Sequence, residues 1–248
     1  MLADPLAARI GRGEVLSAWY RLLAVAMLLA VAPSARAQSS GFLPEVDAYL
    51  TVHPLARFVF QAKQTREGGD PTQAEIGPSI DLYLKPWIKL ENATIFDLDA
   101  AKKRALVFSA GYRYLPSPDA PTTNRMELVT TLNYPVRGSI LVSDRNRADL
   151  DWQNGKFDWR YRNRLSLEKT LTIQKYHPKV YARSEEFYES QYGKWSTTAL
   201  YAGSSLPVGT RVDFEPYYCH QNNTGKKENQ QLNQLGLIAN FYFSAEKR

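Results

Sequence analysis

The sequence predicts an all-β fold, an antiparallel up-and-down transmembrane β-barrel of 10–12 strands, with 12 favoured because bacterial single-chain barrels close on even numbers. Three observations lead there. Runs of about ten residues alternate apolar and polar side chains, charges of both signs sit in the middle of those runs, and a secretory leader precedes them.

The clearest run is Phe157 to Glu168. Phe157, Trp159, Tyr161, Asn163, Leu165 and Leu167 form one set; Asp158, Arg160, Arg162, Arg164, Ser166 and Glu168 form the other. On a strand these sets are opposite faces, whereas on a helix the three arginines would be scattered. The same reading assigns strands around Ile76–Leu84, Leu106–Tyr114, Arg125–Tyr134, Arg211–Tyr218 and Leu235–Phe243, with weaker ones at 46–53, 57–65, 138–147, 177–187 and 194–203. Between Lys85 and Arg104 the alternation lapses. Tyr134–Gly138 and Leu206–Gly209 read as tight turns. The stretches 66–71, 116–124, 149–156 and 222–231 read as longer polar loops, which would place short turns on one rim and long loops on the other.

Residues 1–37 read as a signal peptide. Arg12 and Arg21 precede the apolar stretch Leu22–Ala32, and Ala35-Arg36-Ala37 ends it as an Ala-x-Ala cleavage site. The apolar stretch is shorter than the roughly 20 residues a membrane-spanning helix needs. Residues 38–248 are then one barrel domain, exported to the outer membrane of a Gram-negative bacterium.

Composition narrows the chemistry. One cysteine, Cys219, excludes a disulfide framework and a thiol-based metal site, and the three histidines (His53, His177, His220) are far apart in sequence. No metal site and no cofactor are expected. The formal net charge is +6 and the aromatic content 12%. For an exported chain, that basicity points to anionic solutes or lipid phosphates rather than to nucleic acid.

The mid-strand charges decide which face is wet. Arg113, Arg145, Arg147, Arg160, Arg162, Arg164, Glu168, Arg183, Glu185, Asp213 and Glu215 lie opposite large apolar residues. In a membrane barrel they face the lumen, either as a cross-strand ladder or as a binding surface for anions, since guanidinium forks match carboxylate and phosphate. Trp152, Trp159, Tyr176, Tyr181, Trp195, Tyr201 and Phe243, near strand ends, fit an aromatic girdle at a bilayer interface. The last run, Leu235–Phe243, is similar to the aromatic-ended strand read by the barrel-assembly machinery.

Three segments carry a wider resemblance: Arg160 through Glu168, Glu185-Glu186-Phe187-Tyr188, and Phe214-Glu215-Pro216-Tyr217-Tyr218. On these the chain resembles, over roughly residues 42–243, an uncharacterised family of Gram-negative outer-membrane barrels. The resemblance implies architecture and location, and no activity.

No catalytic constellation emerges. His220 with Gln221, Asn222, Asn223 and Gly225 is slightly similar to the His-x-Ser-Asn-Gly stretch of the outer-membrane phospholipase, but Asn222 stands where that family has its nucleophilic serine. Asp97, Asp99 and Asp144 lack calcium-loop spacing. The expected role is therefore a structural or narrow-passage envelope protein with an arginine-rich lumen. It would contact outer-membrane lipid or lipopolysaccharide and, in its lumen, small anionic solutes. The alternatives are an outer-membrane hydrolase of lipid or lipopolysaccharide and a soluble periplasmic ligand-binding barrel.

Overall fold

The computed structural model describes residues 39–84, 98–225 and 230–245. The leader reading lies outside these residues, as does the 85–97 part of the stretch where the alternation lapses. Eleven strands follow in order: β1 (Ser39–His53), β2 (Ala56–Glu67), β3 (Asp70–Tyr83), β4 (Leu106–Leu115), β5 (Thr123–Val136), β6 (Ile140–Gln153), β7 (Lys156–Thr170), β8 (Lys179–Glu189), β9 (Lys194–Val208), β10 (Val212–Asn223) and β11 (Gln230–Ser244). They form one closed barrel.

Each strand pairs antiparallel with the next, and β1 closes on β11 in parallel, from Ser39 opposite Leu232 to Thr51 opposite Ser244. The parallel seam follows from the count. In a meander the direction reverses at every turn, so the first and last of eleven strands run the same way. The barrel is thus mixed by one pair, within the expected strand range but not on an even number.

The alternation sorts side chains as a closed sheet requires. On β5, Thr123, Arg125, Glu127, Val129 and Asn133 are buried, while Asn124, Met126, Leu128, Leu132 and Tyr134 are exposed. Phe58, Phe60, Phe108, Leu165, Leu200 and Leu235 are exposed on the outside of their own strands. That outer surface also carries a polar patch at mid-strand. Asn163 donates to Asp144 (2.7 Å) and Asn146 (3.1 Å), the Tyr161 hydroxyl also donates to Asn146, and Glu186 is exposed beside them, across from Asn163 on β8.

Small residues let the interior fill. Tyr181, Gly203, Tyr217 and Gly236 are successive register partners across β8–β11. A Cβ at Gly236 would overlap the Tyr217 ring, and one at Gly203 the Tyr181 phenol. Tyr181 and Tyr217 pack with Leu43, Ala199 and buried Cys219, with Tyr201 against them. Tyr181 and Tyr201 therefore belong to the interior and not to an aromatic girdle; Trp152, Trp159, Tyr176, Trp195 and Phe243 are exposed.

The rims are not sorted by loop length. The expected loops at 66–71 and 149–156 are two-residue hairpin turns, Gly68-Gly69 and Asn154-Gly155. All four of these residues have positive φ, as a type I′ turn demands. The opposite rim carries residues 98–105, ahead of β4, and the 171–178 connection beside its short turns. Residues 98–105 turn into the barrel mouth. Asp99 caps a single 3-10 turn (Ala100–Lys103) by accepting from the Ala101 N–H, and the Asn133 amide donates to the Ala101 and Arg104 carbonyls.

Candidate functional site: the charged barrel interior

Two cavities, of about 300 and 350 Å³, occupy the interior. Their walls carry Arg113, Arg145, Arg147, Arg160, Arg162, Arg164, Glu168, Arg183, Asp213 and Glu215; Glu185, fully buried, pairs with Arg162 (2.8 Å) and Arg164 (2.9 Å) behind them. The geometry thus puts ten of the eleven charged residues of the sequence reading on the walls of these two cavities and the eleventh, Glu185, directly behind them. The pairing reaches beyond neighbouring strands, which the sequence could not indicate. Arg183 meets Glu215 at 2.8 Å, Glu168 meets Lys102 at 2.6 Å, and Asp213 accepts from the Ser205 hydroxyl.

The largest ion cluster centres on residues that the sequence did not single out. Asp149 has no exposed surface. It pairs with Arg147, with Arg160 at 2.8 Å, and with Arg162 and Arg125 at 3.9 and 4.0 Å. Glu127 pairs with Arg147 and with Arg113 (3.4 Å); Glu75 lies 3.5–3.9 Å from Arg113, Arg125 and Arg147; and Arg125 grips Asp151 with two hydrogen bonds of 2.6 and 2.8 Å. Such pairing is needed because a buried charge without a counter-ion costs several kcal/mol. The available signal was the alternation itself, since Asp149 and Asp151 continue the inward set of Arg145 and Arg147 up to an Asn-Gly turn.

A second ion group ties the 98–105 segment to the wall. Arg57 bridges Asp81 (2.6 Å) and Asp99 (2.5 Å), and its guanidinium lies 4.4 Å from the Tyr49 ring centroid. With Lys102 on Glu168, the segment is clamped from β2 on one side and β7 on the other. Burial opposes ionisation of Asp99. The Arg57 guanidinium, the Lys102 ammonium and the Ala101 N–H outweigh it and hold the carboxyl below the usual aspartate range.

The two cavities meet at a belt whose residues line both: Arg145 on β6, Arg164 on β7 and Arg183 on β8, with Glu45 on β1, Gln61 on β2 and Ile238 on β11. In an eleven-strand ring β6 and β7 stand across from β1. Three arginines therefore occupy one wall, and the opposite wall carries Glu45, which pairs with Lys63 at 3.7 Å and accepts from Gln61.

His220 is not part of this interior. Its Nδ1 lies 2.8 Å from Asn233 Oδ1, which also accepts from the Tyr218 hydroxyl at 2.6 Å; no serine hydroxyl partners it among the described residues. No cluster of metal-ligating side chains occurs among the described residues.

Neither the curated proteins nor the solved structures return a match to this chain. A family model, described as protein of unknown function (DUF2490), matches residues 56–232. This span runs from the first residue of β2 into β11 and takes in all eleven charged positions first singled out. By it, the eleven-strand barrel with its ion-paired interior belongs to the DUF2490 family.

Proposed function

We propose that this protein is an outer-membrane β-barrel of a Gram-negative envelope, exported by a cleaved leader, with a charged interior that serves as a structural core and a narrow passage. The observation that carries this reading is the inversion of amphipathicity around a closed sheet. Leu, Phe, Trp and Val side chains cover the outside, while arginines and carboxylates fill the inside. Only a closed barrel or a helix satisfies its backbone within hydrocarbon, and the sheet has no free edge. Exposed Trp152 and Phe157 near one rim, and Phe243 and Tyr134 near the other, fit interfacial rings. Lipid or lipopolysaccharide would then surround the barrel, and the Leu235–Phe243 end of β11 would present itself to the assembly machinery.

Cell fractionation tests the location. The full-length chain expressed in a Gram-negative host is expected in the detergent-extracted outer-membrane fraction, beginning at Gln38, and to migrate faster unboiled than boiled. Release by osmotic shock without detergent would instead support a periplasmic barrel.

A further inference from the structure

Arg145 is the odd member of the ion network. It stands directly across from Arg164 in the β6–β7 register, and the next inward pair, Arg147 with Arg162, is again arginine against arginine. Like charges facing each other across a ladder destabilise it. Arg147, Arg162 and Arg164 are compensated by Glu127, Asp149 and Glu185. Arg145 is not: among the described residues no carboxylate lies at salt-bridge distance from it and no hydrogen bond engages it. The Nε of Arg164 is also buried without an acceptor. Both side chains line the belt where the cavities meet, with Arg183 beside them on the next strand.

We infer that this belt is a binding site for a small oxyanion, a phosphate or carboxylate group, held by the Arg145 guanidinium with the free Nε of Arg164. An incoming anion supplies the acceptor that both arginines lack, and planar guanidinium forks match its oxygens. Glu45 on the opposite wall repels the same anion and so sets its position against β6–β8. This inference names the solute class for the passage proposed above, but it does not depend on where the barrel resides.

The test is thermal unfolding of the purified full-length protein, folded in detergent or in buffer according to its solubility, with and without inorganic phosphate or succinate. Wild type is expected to melt higher as either anion is added, saturably, because a ligand that binds only the folded state stabilises it. R145Q is expected to melt above wild type in anion-free buffer, having lost an uncompensated charge, and to weaken anion binding about tenfold or more, the loss of one charge-assisted contact. R66Q, which removes a charge at the β2–β3 turn outside both cavities, is expected to keep the anion response. An unresponsive wild type would overturn the site, as would an R145Q protein that melts lower or still binds as wild type does. Because the titration needs no bilayer, a failed fractionation and a failed titration are distinct results.

Discussion

Asp149 shows how much one buried carboxylate holds in this interior. Four arginines reach it, and its surroundings exclude solvent. Replacing Asp149 by Asn keeps the volume but leaves Arg147, Arg160 and Arg162 short of counter-charge, and breaking a buried pair from one side typically costs about 3–5 kcal/mol. Urea unfolding of D149N is expected to lose that much. E189Q removes the rim-side partner of Arg160, 3.7 Å away and partly exposed, and is expected to lose less than about 1 kcal/mol; equal losses would mean that Asp149 is not the hub. At this scale the sequence was readable where alternation was unbroken, as for Arg160, Arg162 and Arg164. It was misread where a turn signal went unused. Asn154-Gly155 sets a two-residue hairpin, which keeps 149–153 inside β6, whereas a polar composition alone made that stretch look like a loop.

The β3–β4 connection is the element that owes least to periodicity. Its lapse of alternation over Lys85–Arg104 gave no fold information, and Asp99 looked like an isolated acid. Its role comes from three-dimensional neighbours, Arg57 on β2 and Glu168 on β7 through Lys102, that no local pattern announces. The pH dependence of the clamp has a definite sign. Folding lowers the Asp99 pKa, so the clamp's contribution is fully present above the free-aspartate value of about 3.9 and fades as pH falls through the lower folded value. Hydrogen exchange of the Ala101 amide, which donates to Asp99 Oδ1 at 2.9 Å, is expected to stay protected from neutrality to about pH 4 after correction for intrinsic rates, then lose protection on further acidification. D99N is expected to show weaker protection with no such step. A D99N protein whose Ala101 amide is as well protected at neutral pH as that of wild type would remove Asp99 from the clamp.

Closure of the whole molecule depends on a pairing between the two ends of the sequence, and that made the strand count the least legible feature. Ten antiparallel neighbours are joined by short connections or by alternating runs that can be read locally, but the β1–β11 seam links residues 39–51 with 232–244. Nothing in either segment announces parallel pairing. An even count would have made the seam antiparallel, and the two arrangements predict different partners for the same outward residues. In the parallel register Val46 lies beside Ala239 and Leu50 beside Phe243. If Val46 kept Ala239 in an antiparallel seam, Leu50 would instead reach Leu235. In a Cys219→Ala background, the double variants V46C/A239C and L50C/F243C are expected to form disulfides on mild oxidation of the folded protein, seen as a mobility shift reversed by reductant, while L50C/L235C is expected to remain reduced. Cross-linking of L50C/L235C with loss of L50C/F243C would show the ends meeting head to tail, which eleven strands in one meander cannot do.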